Sequence, residues 1–303
     1  MPAIDPPYPV VPTVGAGSSA HGDIGAVTLV ACGAVAALRC FSDSGALIRP
    51  RGNTMLPQAI LFDLDDTILP AYGRPEQAWP VVVATFAAEL GPLTADELAA
   101  AIVAVARAFW ADGSHEGYWR MRLAEARRTI VARAFAGLAA AGRPVPSAAT
   151  GDRLADRFSA YREEQMCLFP DALLVIDTLR SHGVRLALVT NGAAEPQRGK
   201  IIRFDLTHRF DHIQIEGEHG FGKPDERAYR HAMRALDVEP QNTWMVGDNL
   251  EWEVVAPQRL GIHAIWHDPI GQGLPPGSPI RPDRIIRRLT ELLPGEAPVA
   301  AAG

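Results

Sequence analysis

The chain has 303 residues, with 29 basic against 35 acidic side chains and a formal charge of −6. That length fits one large domain or a core with a smaller companion, and the acidic balance argues against a nucleic acid as the main partner, since a phosphate backbone calls for a basic surface. Three cysteines, Cys32, Cys40 and Cys167, make neither a disulfide framework nor a zinc-ribbon spacing; of the basic residues only Lys200 and Lys223 are lysines, the other 27 being arginines.

Residues 1–54 are rich in Pro, Gly, Ser and Ala with little periodicity, which predicts a disordered segment or start-site extension ahead of Met55. The longest apolar run, residues 24–38, is broken by Gly25 and Gly33 and falls short of the roughly 18 residues that span a membrane. Leu29-Val30-Ala31-Cys32 has the shape of a lipoprotein cleavage box, but the stretch before it carries Asp5 and Asp23 and no basic residue. A charged leader is therefore missing, and a cytoplasmic protein is expected.

From Ala59 onward, short apolar runs at 59–62, 184–190, 243–247 and 264–266 read as buried parallel strands. Helix-length segments separate them: 171–182, with Asp171 as N-cap and Gly183 at the stop, 225–236 and 283–293. This alternation predicts an α/β fold, a doubly wound parallel sheet. The stretch 71–169 is dominated by Ala, Leu, Val and Arg and reads as helical at 79–90, 94–110, 118–141 and 147–166. The expected organisation is a core of residues 55–70 and 170–294, an inserted all-helical domain at 71–169, and a flexible tail at 295–303.

Four segments carry chemistry. In Phe62-Asp63-Leu64-Asp65-Asp66-Thr67, residues two apart point the same way, so Asp63 and Asp65 enter one space at a strand's carboxyl end, where ligands bind in open α/β sheets. A lone Asp-x-Asp is equally a solvated turn, with Asp66 or Thr67 as a cap. Thr190-Asn191-Gly192 ends a second strand with a hydroxyl, an amide and a glycine, a donor set suited to phosphate oxygens, though also a common strand-to-turn sequence. Gly222-Lys223-Pro224-Asp225 places a lysine before a proline-started helix. In a chain so rich in arginine, a lysine there points to a compact ammonium rather than a planar fork. Gly247-Asp248-Asn249 ends a further strand, with Glu251 and Glu253 following.

These segments in this order resemble the four motifs of the haloacid dehalogenase superfamily, over about residues 57–270, with the helical insertion similar to that family's α-helical cap. The resemblance implies a Mg2+ ion held by the Asp63 carboxylate, the Asp65 main-chain carbonyl and Asp248, with Asn249 and Glu253 in support. It implies Asp63 as nucleophile, Asp65 as general acid and base, Thr190 and Lys223 on the phosphoryl oxygens, and Thr67, Asn191 and Gly192 as further phosphate-binding positions. The family often has a second aspartate where this chain has Glu253; Glu251 is the other candidate, equally an exposed carboxylate at a helix start. A halide leaves without a proton, so Asp65 favours phosphate esters over carbon–halogen bonds.

The reading is a phosphatase of a small phosphorylated metabolite, a sugar phosphate or nucleotide, similar to N-acylneuraminate-9-phosphatase, with no nucleic-acid or membrane partner. The alternatives are a 2-haloacid dehalogenase-type hydrolase, a phosphomutase and a phosphate-ester-binding regulator. Between Trp110 and Arg133 the insertion carries Arg120, Arg122, Arg127, Arg128 and Arg133 beside Tyr118 and Trp119. This is either a basic rim for an anionic substrate or a helix packed through Trp119, Leu123, Ala126 and Ile130 with solvated or paired arginines. His212, His219, His263 and His267 show no metal-ligand spacing.

Overall fold

The computed structural model of the chain describes residues 56–70 and 75–295. The extension assigned to residues 1–54, and all but the first residue of the tail assigned to 295–303, lie outside the described residues. Among the described residues no helix is long and apolar enough to cross a membrane.

Six parallel strands form one sheet: β1 (Ala59–Phe62), β2 (Arg185–Thr190), β3 (His212–Ile215), β4 (Thr243–Gly247), β5 (His263–His267) and β6 (Arg284–Ile286), in the order β3-β2-β1-β4-β5-β6. The chain runs outward from β1 to β2 and β3, then returns to β4 on the other side of β1. The order therefore reverses at β1, and a crevice opens at that switch point. Register makes the crevice level, because Phe62 pairs with Leu188 on β2 and with Val246 on β4. β1 is fully buried along its length, as expected for a parallel strand covered on both faces.

Between β1 and β2 the chain builds a helical cap from α1 (Pro75–Ala84), α2 (Ala95–Ala111), α3 (Glu116–Arg120), α4 (Leu123–Ala140) and α5 (Ala148–Glu164). Thr94 and Glu97 start α2 with a reciprocal capping box, and the Ser147 hydroxyl accepts from the Thr150 N–H to start α5; together these satisfy amides that a helix start would leave orphaned. The cap has its own apolar core, including Val83, Leu98, Ile102, Ile130, Val131 and Leu154, with Trp79 and Phe158 stacked at 3.7 Å between ring centroids. The sheet is flanked by α6 (Ala172–Ser181), α7 (Ala194–Arg203), the single turn α8 (Glu216–His219), α9 (Glu226–Leu236) and the single turn α10 (Ala256–Arg259).

The structure corrects several expected elements. Residues 283–293 are not a helix but β6 followed by one 3-10 turn, Leu289–Leu292. Asp283 decides this: its carboxylate accepts the Ala264 N–H and its own N–H donates to the Ala264 carbonyl, which locks the following residues beside β5. Ile286 is then buried and Ile285 exposed, the alternation of a strand. The helix expected at 118–141 breaks at Met121–Arg122, where Arg122 leaves helical geometry and its guanidinium lies over the Tyr118 ring. The helix expected at 79–90 starts earlier and closes at Ala84, followed by the 3-10 turn Ala87–Glu89. β3 escaped the sequence pattern because His212 and Gln214 interrupt its apolar run, yet Gln214 is buried and bonded to His231.

His212, His219 and His231 form a cluster, with ring centroids 4.8–6.4 Å apart. Burial, then the neighbouring His231 and His219, hold His212 below the usual imidazole range; burial, then His219 and Arg234, do the same to His231. The folded state thus favours the neutral rings, and their stabilisation is fully present above the unfolded value of about 6.5 and lost as pH falls below it. The urea midpoint of the wild type is expected to fall between pH 7.5 and 5.5 more steeply than that of His212→Gln. Parallel curves would remove the cluster as the cause.

Candidate active site

The site grows from a buried lysine at the switch point. Lys223 has no exposed surface; its ammonium lies 2.5 Å from Asp63 Oδ1 and 2.7 Å from Glu253 Oε1. Asn191, just beyond β2, fixes the Lys223 backbone from both directions: its amide nitrogen donates to the Lys223 carbonyl at 2.6 Å and its oxygen accepts the Lys223 N–H at 2.8 Å. Asp63 continues the β1 ladder through its N–H to the Val246 carbonyl and receives the Thr67 hydroxyl on Oδ2 at 3.3 Å. Glu253 lies in a π-helical turn, Leu250–Val255, that Asn249 caps by accepting the Glu251 and Trp252 N–H groups, and the Asn249 N–H returns to Glu253 Oε2 at 2.8 Å. Glu251, the rival carboxylate, is exposed and pairs with Arg259.

Two residues that strand-end motifs did not reveal complete the site. Lys200 on α7 lies 2.7 and 2.8 Å from the two oxygens of Asp65. Gln197, one turn earlier, donates from one amide nitrogen to Asp65 Oδ2 at 2.9 Å and to the Thr190 hydroxyl at 2.6 Å. The donors expected at Asn191 and Gly192 are engaged within the protein, the first by Lys223 and the second by Glu216, whose Oε2 accepts the Gly192 N–H at 3.0 Å. All three residues of that segment nonetheless line the cavity beneath the cap.

Carboxylates outnumber cations around Lys223. Burial raises the proton affinity of Asp63, with Lys223 opposing and Asp65 adding to it. Burial, then Glu253, Asp63 and Asp66, raises Asp248 well above the usual range, and burial pushes Glu253 up to about 7 against the pull of Lys223. Burial alone would lower Lys223, but Asp63 and Glu253 outweigh it and hold the ammonium charged. Among the described residues no three His, Cys, Asp or Glu side chains converge as a metal cluster. Two carboxylates with excess negative charge, Asp63 and Asp248, beside the Asp65 main chain nonetheless fit a hard divalent cation that takes oxygen ligands and keeps several waters.

A cavity of about 580 Å³ lies between sheet and cap. Asp63, Asp65, Thr190 and Asp248 form its polar end, and Trp79, Val103, Trp110, Leu123 and Phe158 of the cap, with Trp252 of the core, form an apolar wall. Arg120 spans the two parts: its guanidinium bonds both oxygens of Glu216 at 2.7 and 2.5 Å and lies over the Trp252 ring. Arg128 pairs with Asp156 within the cap, and Arg133 lies over Phe109.

The family model described as haloacid dehalogenase-like hydrolase matches residues 57–261. The chain belongs to that family. Its curated relatives include a phosphoserine phosphatase of Thermus thermophilus, 38% identical over 146 residues, which are 48% of this chain and 57% of that protein. The chain thus spans just over half the length of that relative. A ribulose-1,5-bisphosphate 5-phosphatase of Halopiger xanaduensis is 31% identical over 217 residues, 70% of this chain and 84% of the relative; the N-acylneuraminate-9-phosphatase of Rattus norvegicus is 33% identical over 136 residues, 45% and 54% of the two chains. Among solved structures, a magnesium-bound HAD hydrolase from Bacillus subtilis superposes with a TM-score of 0.55 at 25% identity, covering 78% of this chain and 97% of that one.

In this haloacid dehalogenase-like chain, glycine decides whether the charged groups can meet. A Cβ on Gly247 would stand 2.0 Å from Glu253 Cγ, and one on Gly222 would stand 2.5 Å from Asn191 Oδ1. Gly199, inside α7, has open space instead. Gly247→Ala is expected to cost about 1–3 kcal/mol through overpacking, and Gly199→Ala to gain about 0.5–1 kcal/mol from its helix position, both read from urea unfolding. An unchanged midpoint in Gly247→Ala would show that Glu253 does not need the close approach.

Proposed function

We propose that the chain is a magnesium-dependent phosphomonoesterase of a small phosphorylated metabolite, acting through an aspartyl-phosphate. The observation that carries this reading is the joint presence of Asp63 and Asp65 on one cavity, the first oriented by a fully buried ammonium. Phosphatase names among the relatives and magnesium in the B. subtilis structure support it.

The roles follow from position. Lys223 lies behind Asp63 with no surface of its own, so it orients the nucleophilic carboxylate rather than gripping substrate. Asp63 attacks phosphorus, the ester P–O bond breaks, and the leaving oxygen takes a proton from Asp65. Water then attacks the phosphorus, gives its proton to Asp65, and the bond from Asp63 to phosphorus breaks, returning both groups to their starting state. Thr190 donates to a phosphoryl oxygen where charge develops. Asp63 and Asp248, with the Asp65 carbonyl, would hold the magnesium ion, which offsets the repulsion between a carboxylate and a phosphate dianion.

Size and lining favour a ring-bearing ester. A cavity of about 580 Å³ whose cap side offers Trp79, Trp110 and Phe158 beside Arg107, Arg127 and Arg162 has room for a complete small ligand, which supports a sugar phosphate or nucleotide.

Phosphate release with magnesium tests the reading. Asp63→Asn is expected to abolish turnover, Asp65→Asn to lower it by about 10²–10⁴-fold on an alkyl ester, and a chelator to stop the wild type until magnesium is restored. In a panel of sugar phosphates, nucleotides and short acid phosphates, the ring-bearing members should give the higher kcat/KM. Equal turnover by wild type and Asp63→Asn, or none by either across the panel, would overturn the assignment.

A further inference from the structure

We propose that Gln197 and Lys200, three residues apart on α7, are positioning residues that aim the Asp65 carboxylate and set the direction of the Thr190 hydroxyl. The inference rests on the phosphomonoesterase reading and adds to it two residues outside the four motifs.

The argument is one of donors and acceptors. The Asp65 carboxylate has about four acceptor directions on its two oxygens. Lys200 Nζ lies 2.7 Å from Oδ1 and 2.8 Å from Oδ2, and Gln197 Nε2 takes a second direction on Oδ2 at 2.9 Å. A direction on Oδ1 remains for a leaving oxygen or an attacking water. The pair is sheltered, with side-chain exposures of 14% for Lys200 and 9% for Asp65, so water competes weakly for the carboxylate and its rotamer is held.

Gln197 does a second thing. Its amide nitrogen also points at Thr190 Oγ1, 2.6 Å away, and an amide nitrogen only donates. The Thr190 oxygen must therefore accept, which leaves its own proton free to point elsewhere. Its other protein acceptor, the Asn191 carbonyl, is at 3.5 Å, the outer limit of a useful bond. While Asp65 is ionised beside the Lys200 ammonium, the Gln197 amide is not reversible, because turning it round would set its oxygen against Asp65 Oδ2. One buried amide thus makes Thr190 a donor, the polarity a phosphoryl oxygen requires.

The shared helix face explains the spacing. Residues three apart on a helix are neighbours, and α7 begins four residues after Thr190, so a single turn delivers the amide and the ammonium to groups from β1 and β2.

The experiment compares kcat/KM along a series of aryl phosphates from phenyl to p-nitrophenyl phosphate, since a p-nitrophenolate departs without a proton and a phenolate does so poorly. Lys200→Gln is expected to lose about 10–100-fold on phenyl phosphate and under about 3-fold on p-nitrophenyl phosphate, the signature of a misdirected acid. Gln197→Glu, which accepts the Thr190 proton and loses the bond to Asp65, is expected to lose about 10-fold or more on both esters, and more on phenyl phosphate. A merely structural role for Lys200 would lower both esters equally, and that result, or no loss on either, overturns the inference. Should Lys200→Gln melt early, Lys200→Met, which keeps the stem and removes the donor, carries the same comparison of the two esters. Wild type that hydrolyses neither ester overturns the phosphomonoesterase reading and this inference with it. Wild type that hydrolyses both, with a flat loss or none in Lys200→Gln, overturns this inference alone.

Discussion

A fully buried ammonium held between two carboxylates is the constraint on which the site depends. Removing one partner from such a cluster leaves an uncompensated buried charge, which costs about 3–5 kcal/mol. The bonds from Lys223 to Asp63 and Glu253 therefore tie the end of β1 to the turn after β4, and the two Asn191 bonds tie both to the loop after β2. Two segments distant in sequence are fixed by one charge, and a third by the main chain of the residue that carries it. The small residues around it follow from the same need, because Gly247 and Gly222 stand where any side chain would hold the carboxylate or the amide away.

That cluster is ion-paired but not neutral. Asp63, Asp248 and Glu253 all have raised proton affinity, since one ammonium does not balance them after burial has weakened their hydration. A site that only needed to be stable would be better built from apolar side chains of the same volume. Excess negative charge next to a cavity is instead the condition under which a divalent cation and a phosphate can be drawn in together. Lys200 directs its ammonium at both oxygens of Asp65.

Much of this was legible in the sequence because the motifs sit at strand ends. Asp63, Thr190 and Asp248 each follow a buried apolar run, and parallel strands bring such positions to one edge whatever lies between them. Glu253 and Glu251 were not separable by spacing; the π-helical turn separates them by turning one inward and the other to Arg259. Gln197 and Lys200 lie inside a helix, where position relative to a strand says nothing, and the one available signal was the scarcity of lysine. The error at 283–293 has a similar origin. A segment with isoleucines beside arginines satisfies a helical or a strand pattern, and Asp283 pairing with Ala264 is a tertiary fact that no local period contains.

The cap meets this centre at Glu216, one of its contacts with the core. Glu216 Oε2 accepts the Gly192 N–H from the core as well as the Arg120 guanidinium from the cap, so withdrawing Arg120 leaves the carboxylate with a partner and a position. The pair is part-buried, at 21% and 12% of the two side chains. Arg120 also lies over Trp252, which lines the cavity. The contact that closes the cap thus sets one wall of the space the substrate must fill. The Lys223 cluster is held entirely by core residues, and Arg120 of the cap meets the core apart from it, at Glu216 and Trp252.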